Sequence, residues 1–342
     1  MDTILYLVLP CYNEQELLEN TAQVTAKKFK MLEKAGRIST LSKIVFVNDG
    51  SYDETWTGIC KLHRQNKGFV GVNLSKNSGH QNALLAGMLY AKNKADAIIT
   101  MDADLQDDID AIDDMLDKYH EGYDIVYGVR KCRNTDSLFK RTSAKLFYKF
   151  MKFLGTNTIN NHADFRLLSN RVIEALEQYE EVNMFLRGII PQIGYKTDIV
   201  YYDRNARLAG KTKYTTKKML SFAWEGITSF SVKPMRLISF LGLIAFFVSI
   251  SMIIYTLIRY FTNHTVAGWS SIVISIWFIG SLLSISTGIV GEYIGKIYIE
   301  TKKRPRYFID TIADDSISDK TVNIMNKGSY EDKEEKNVSG YN

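Results

Sequence analysis

The stretch Ala97-Ile98-Ile99-Thr100-Met101-Asp102-Ala103-Asp104-Leu105-Gln106-Asp107 changes character near its middle. Its first five residues are apolar or β-branched and read as a short buried strand. The next six hold three carboxylates and an amide. Working outward, four more short runs rich in Ile, Val and Leu stand at residues 4–9, 43–47, 70–74 and 124–127. Helical patterns lie between them, at 14–34, 54–65, 80–93 and 111–120. This alternation predicts an α/β fold, a mostly parallel sheet with helices on both faces. In such sheets the ligand sits beyond the C-terminal strand ends. Two further polar clusters fall there, Pro10-Cys11-Tyr12-Asn13-Glu14 and Asn48-Asp49-Gly50-Ser51. No G-x-G-x-x-G follows the first strand and no G-x-x-x-x-G-K-[ST] is present, which argues against ordinary dinucleotide and P-loop sites.

In extended chain, residues i and i+2 point the same way. Asp102 and Asp104, with the Gln106 amide oxygen two further on, can therefore offer hard oxygen ligands to Mg²⁺ or Mn²⁺. A solvated acidic turn is the plainer reading of D-x-D, and the apolar strand directly before it favours the metal. Asp49 reads equally as a hydrogen-bond acceptor for a base or ribose and as a turn residue ahead of Gly50.

The chain has 342 residues, one large domain or two ordinary ones, with 43 basic and 38 acidic side chains and a net charge of +5. That excess is too small for a dedicated nucleic-acid binder. Cys11, Cys60 and Cys132 are widely spaced and fit neither a disulfide framework nor a zinc pattern, so they read as reduced cytosolic thiols. The mean hydropathy of −0.14 averages a polar majority with two very apolar stretches. Residues 237–258 and 269–291 contain no Asp, Glu, Lys or Arg. As helices each would span roughly 33–35 Å, enough to cross a bilayer core. The short link between them predicts a two-helix transmembrane hairpin. Lys211, Lys213, Lys217, Lys218, Lys233 and Arg236 precede it, and Lys296, Lys302, Lys303, Arg304 and Arg306 follow it; the loop carries only Arg259. The positive-inside rule then puts both ends in the cytoplasm, giving a multi-pass protein of the cell membrane with a cytoplasmic catalytic domain. The apolar run at 4–9 is too short for a signal peptide and is interrupted by Pro10.

Two basic amphipathic segments suit a membrane surface. From Arg130 to Lys152 there are eight basic residues and one acid, with Lys140 and Arg141 among Leu138, Leu146, Phe147 and Phe150. Residues 215–231 repeat the pattern directly before the first span. The expected organisation is a cytosolic catalytic domain at 1–210, a juxtamembrane helix at 211–236, membrane helices at 237–258 and 269–291, and a cytosolic segment at 292–342. From about 314 onward acids dominate and large apolar residues are few, which predicts a mobile tail.

Taken in order, the segments Pro10–Glu14, Val47–Ser51, Asn77–Asn82, Asp102–Asp107, Val126–Arg130, Ala163–Leu168, Phe185–Gly188 and Arg207–Tyr214, followed by the membrane hairpin, resemble the family 2 glycosyltransferases of the GT-A fold. Within these, the chain looks like the bactoprenol-phosphate glucosyltransferase and dolichol-phosphate mannose synthase group. One departure is Asp108-Ile109-Asp110, where the family often has prolines; it changes a helix start, with little effect expected on the metal. The resemblance implies hexose transfer, glucose by default, from a UDP-sugar to polyprenyl (undecaprenyl) phosphate, metal-dependent and with inversion, for modification of cell-envelope glycans. It implies that Pro10, Tyr12, Asn13, Glu14 and Asp49 line the base and ribose pocket, with Asp102 and Ala103 also against the donor. Asp102, Asp104 and Gln106 would hold Mg²⁺ or Mn²⁺, Asp104 and Asp164 would serve catalysis, and Arg204 and Lys211 would approach the diphosphate. Arg130, Lys140 and Arg141 would meet the acceptor phosphate. A carboxylate such as Asp164 reads as a base or as an orienting group. The resemblance also allows a homo-oligomer and coupling to a flippase and an extracytoplasmic glycosyltransferase.

A processive polysaccharide synthase would need a Q-x-x-R-W motif, which is absent. A non-catalytic nucleotide-sugar sensor would not need Asp102, Asp104 and Asp164 together. Transfer to diacylglycerol differs only in the acceptor.

Overall fold

A computed structural model describes residues 2–131, 162–182, 184–203 and 268–315, together with residues 240, 244, 247, 248, 250, 251, 254 and 258. The chain divides into two compact units, one of Met1–Ser137, Thr158–Lys213 and Arg304–Asn342, the other of Leu138–Asn157 and Tyr214–Lys303.

The first unit is built on the expected alternation. Strand β1 (Leu5–Cys11) leads to α1 (Leu18–Lys34), β2 (Lys43–Asn48) to α2 (Thr55–Gln65), β3 (Phe69–Leu74) to α3 (His80–Ala91), and β4 (Ala97–Thr100) to α4 (Ala111–His120). Then follow β5 (Ile125–Arg130), β6 (His162–Ser169), α5 (Asn170–Glu177), the four-residue α6 (Leu186–Ile189), a 3₁₀ turn (Ile190–Ile193) and β7 (Thr197–Tyr202). A last strand, β8 (Ile309–Ala313), follows much later in the chain. The sheet order is β7-β5-β6-β4-β1-β2-β3-β8. Pairs β1/β2, β2/β3, β1/β4 and β5/β7 are parallel, while β6 runs antiparallel to β4 and β5, and β8 antiparallel to β3. The order reverses between β1 and β4, so the loops after these two strands open at the switch point. They carry Pro10–Glu14 and Asp102–Asp107.

Strands β1 and β4 are wholly buried, which is why they read as continuous apolar runs. Leu5, Leu7, Leu9, Phe46, Ile99, Phe165 and Leu167 join one core. Helix α3 lies so close to the sheet that a Cβ on Gly87 would stand 2.4 Å from Val8 Cγ1 and 2.8 Å from Val47 Cγ2. The Asp108–Asp110 departure forms a hydrogen-bonded helix start. The Asp110 N–H donates to Asp108 Oδ1 (3.0 Å), and buried Lys28 donates to Asp110 (2.6 Å) and Asp113.

Strand β8 lies outside any element expected from sequence. It extends the sheet, and the residues after it are fastened too: Asp314 accepts from Tyr90 and from Lys43 (3.2 Å), while Asp315 faces His63 (3.1 Å) and Lys67.

In the second unit, α7 (Trp269–Thr301) is one continuous 33-residue helix. The expected second span stopped at Gly291 because Glu292 follows; the helix carries on through Tyr293, Ile294, Ile297 and Ile299. Its part from Phe278 to Thr301 is, among the described residues, the one helix long and apolar enough to cross a membrane by length and composition. Of the first expected span, Phe240, Ile244, Phe247, Val248, Ile250, Ser251, Ile254 and Ile258 are described, each helical and exposed. The rest of that span, and with it the hairpin, lies outside the described residues.

Candidate active site

The loop after β1 is stitched to the loop after β2. Asn13 N–H donates to Ser51 Oγ (3.0 Å), Tyr52 N–H to Asn13 Oδ1 (2.9 Å), and Glu14 N–H to Thr55 Oγ1 (3.0 Å). The Tyr12 and Tyr52 rings meet edge to face at 6.3 Å, and Tyr52 is largely exposed. Pro10 pairs with Val47 in the sheet. Pro10, Tyr12, Asn13 and Glu14 are thus brought together beside Asp49.

Asp49 has a structural task of its own. It is buried, and its two oxygens accept from the amides of Ser78 (2.7 Å) and Gly79 (3.0 Å), just ahead of α3. Burial pushes its carboxyl up against the pull of those amides. Gly50, at φ +62°, allows the approach: a Cβ there would stand 2.3 Å from the Asn77 nitrogen.

After β4 the backbone is strained. Leu105 adopts φ +52° while its side chain packs in the core. A leucine held in the left-handed region costs about 1–2 kcal/mol, and burial of the side chain offsets it. The turn sets Asp104 Oδ1 to accept the Gln106 N–H (3.2 Å). Ala103 is buried, and its carbonyl accepts from Thr21 Oγ1 (2.8 Å) on α1. Gln106 is buried as well. The Asp102 carboxyl is pushed up to about 6, first by burial and then by the carboxylates of Asp164, Asp107 and Asp104, with His80 opposing.

Asp164 comes to this place through strand register. β4 and β6 pair antiparallel with Thr100 opposite Arg166. Extending that register two residues sets Asp164 opposite Asp102. Thr100 Oγ1 donates to the Asp164 carbonyl (2.5 Å) and fastens the junction. The His80 imidazole, first residue of α3, spans the two acids: its Nε2 is 3.5 Å from Asp102 Oδ1 and 3.3 Å from Asp164 Oδ2.

The surroundings of Asp164 are cationic. Arg166 donates to Oδ1, and Arg187 on α6 donates through Nε to Oδ1 (3.2 Å) and through Nη2 to Oδ2 (3.0 Å). Burial alone would raise the Asp164 carboxyl; Arg166, His80 and Arg187 outweigh it and hold it well below the usual carboxylate range. Gln81 links the pieces. Its Nε2 donates to Asp164 (3.4 Å) and its Oε1 accepts the Leu186 N–H (3.1 Å).

Arg130, expected at the acceptor phosphate, donates through Nε (3.1 Å) and Nη2 (2.8 Å) to buried Asp107. The Tyr202 hydroxyl donates to the same oxygen of Asp107 (2.6 Å). Arg130 stands at the end of β5 beside that carboxylate, so its charge is partnered within the protein. Lys140, Arg141, Arg204 and Lys211 lie outside the described residues. His80, Gln81, Arg166 and Arg187 were assigned no role from sequence, although each falls inside a quoted segment. The signal was there in the run His80-Gln81 directly after the β3 loop, at a helix start facing the strand ends.

Residues 6–177 match the model of glycosyl transferase family 2. The chain belongs to that family. A Bacillus subtilis protein named uncharacterized glycosyltransferase YkoT is 52% identical over 307 residues, 90% of this chain and 91% of that one. A prophage bactoprenol glucosyl transferase homolog of Escherichia coli is 40% identical over 311 residues, 90% of this chain and 98% of the other. The bactoprenol glucosyl transferase of Shigella phage SfV is 40% identical over 308 residues, 89% and 97% of the two chains. The protein is a glycosyltransferase with an α/β domain whose sheet is mostly parallel. The carboxylates Asp102 and Asp104 stand at its switch point, and the cation-ringed Asp164 stands beside them.

Proposed function

We propose that the protein moves a hexose, glucose by default, from a UDP-sugar to the phosphate of a polyprenyl lipid at the cytoplasmic face of a membrane. The observation that carries this is the division of charge about His80: crowded acids on one side, a carboxylate ringed by guanidinium groups on the other. Relatives named bactoprenol glucosyl transferase, similar over nearly their whole length, support the lipid and the sugar.

Among the described residues no three His, Cys, Asp or Glu side chains form a metal cage. Two carboxylates at one strand end, with water and donor phosphates completing the shell, are nonetheless a fitting donor set for Mg²⁺ or Mn²⁺. Asp102 and Asp104, with Gln106, would hold the ion, and it would neutralise charge growing on the diphosphate. The Tyr12–Tyr52 pair and the Pro10–Glu14 loop offer the base a surface.

An oxygen of the lipid phosphate attacks the sugar C1 as the C1–O bond to the diphosphate breaks. The electron pair leaves on the nucleoside diphosphate, and the anomeric configuration inverts. A phosphate monoester has a second pKa near 6 and is already largely ionised at neutral pH, so no strong base is required. Asp164, gripped by two arginines, serves as an orienting group.

The test is transfer of labelled glucose by the full-length protein in membranes, with undecaprenyl phosphate and diacylglycerol as competing acceptors. The expected product is a glucosyl phospholipid made only with added divalent metal. Label in diacylglycerol alone would refute the acceptor.

A further inference from the structure

Resting on that reading, we propose that Asn48, Asn73 and Asp310 are positioning residues for the nucleotide donor: they form a hydrogen-bond relay across three strands that holds the Asn13 turn of the base loop.

Asn13, between Tyr12 and Glu14, adopts φ +53°. Asparagine enters the left-handed region more readily than most residues, yet the conformation persists only where the surroundings fix it. Two bonds do so. The Asn13 N–H donates to Ser51 Oγ (3.0 Å), and Asn13 Oδ1 accepts the Tyr52 N–H (2.9 Å). The turn therefore depends on where Ser51 stands. The Ser51 N–H donates to Oδ1 of Asn48 (3.3 Å), the last residue of β2, which is 2% exposed. Asn48 donates through Nδ2 to Asn73 Oδ1 (2.7 Å), directly opposite it in the parallel pairing of β2 with β3. Asn73 donates through Nδ2 to Asp310 Oδ2 (3.1 Å) on β8, 237 residues further along the chain.

A side-chain amide has a donor end and an acceptor end, so the group that ends the row decides which way each amide faces. A carboxylate only accepts. Asp310 draws the Asn73 NH₂ toward itself, which leaves Asn73 Oδ1 for Asn48 and Asn48 Oδ1 for the Ser51 N–H. Turning either amide round sets donor against donor and acceptor against acceptor. The β8 backbone is shaped for its part. Its register with β3 shifts between Asn73 and Leu74, with Asn73 opposite Thr311 and Leu74 opposite Ile309. Asp310 is the extra residue of this bulge, and bulges re-aim a side chain. β8 thus extends the sheet and also sets the polarity of a row that ends in the base loop.

The test uses full-length protein in membranes or nanodiscs, comparing wild type, Asn73→Leu, Asp310→Lys, Asn73→Asp, and Asn73→Asp combined with Asp310→Lys. Four quantities are read: KM for UDP-glucose, KM for undecaprenyl phosphate, binding of UDP with Mn²⁺, and thermal unfolding. Asn73→Leu keeps the shape but leaves the buried Asn48 amide unpaired. Donor KM and the UDP Kd should rise about tenfold, with the acceptor KM within about twofold of wild type. Asp310→Lys puts a donor where the row needs an acceptor, and because this end is exposed the rise should be about three- to fivefold. Asn73→Asp alone sets two carboxylates face to face and should weaken the donor at least as much. The double variant returns an acceptor to Asn48 and a donor to face it, so the donor constants should recover to within about twofold of wild type. Donor constants that stay unchanged while the unfolding temperature falls would make the row purely structural and overturn the proposal. So would an equal rise in both Michaelis constants, or a double variant no better than Asn73→Asp. A wild type that does not bind UDP overturns the reading of Pro10–Glu14 as the donor's base site, and the relay's role with it.

Discussion

The two sides of the active site are built from opposite electrostatics. On the side of β4, Asp102, Asp104 and Asp107 are crowded together, and Asp102 is pushed up to about 6 by burial and by its acidic neighbours. On the side of β6, Asp164 is the more deeply buried, 5% exposed against 36% for Asp102, yet it is held well below the usual range by Arg166, His80 and Arg187. Desolvation raises both carboxyls, and the more deeply buried one is nonetheless the lower, so the neighbours decide the outcome. The first arrangement is short of positive charge and suits a cation. The second gathers guanidinium groups around one carboxylate. One imidazole separates them.

The comparison can be broken most sharply from the acid side. Asp104→Asn should lower transfer about 10³-fold and remove metal-dependent UDP binding, while thermal unfolding stays near wild type. Chelation of divalent ions should have the same effect on the unaltered protein. Activity that is insensitive to both would mean that the crowded acids hold no metal. From the cationic side, Asp164→Asn should cost about 10²-fold with the loss persisting from about pH 6 to about pH 9, because the amide cannot grip Arg187. Recovery toward wild type at high pH would make Asp164 a base instead. A smaller effect is expected from Gln81→Ala, which releases Leu186 and loosens Arg187. Transfer should drop about five- to tenfold, in keeping with losing the bond from Leu186 N–H and a long one to the Asp164 carboxylate. The smallest change belongs to Tyr90→Phe, which removes the hydroxyl that meets Asp314. It should lower stability by about 1 kcal/mol in denaturant titration and leave both Michaelis constants alone.

The two sides also differ in how far the sequence disclosed them. β1 to β4 and α1 to α4 are legible because buried parallel strands read as apolar runs closed by polar loops, and Pro10–Glu14 and Asp102–Asp107 stand at those closures. β6 is harder to see. Its segment His162–Ser169 carries a histidine, an acid and an arginine, and Arg166 is buried only because Asp164 lies two residues away to pair it. That pairing, and the meeting of Asp164 with Asp102, come from antiparallel register with β4, which no local pattern encodes. Arg187 is harder again, since a one-turn helix has no periodicity to read. Arg130, the last residue of β5, pairs with buried Asp107, a partner 23 residues away that no local pattern encodes. β8 is hard to read because Ile-Asp-Thr-Ile-Ala shows no strict alternation and, as an edge strand, it is half-exposed and pairs with one neighbour, β3.

The division of labour across His80 is tested most directly by one binding measurement: titration of UDP in the presence of Mn²⁺ into wild type, Asp104→Asn and Asp164→Asn. Asp104→Asn should lose metal-dependent affinity, and Asp164→Asn should bind UDP within about twofold of wild type although it transfers sugar about 10²-fold more slowly. Equal loss of UDP binding in both variants would contradict the account, because the two carboxylates would then serve one ligand.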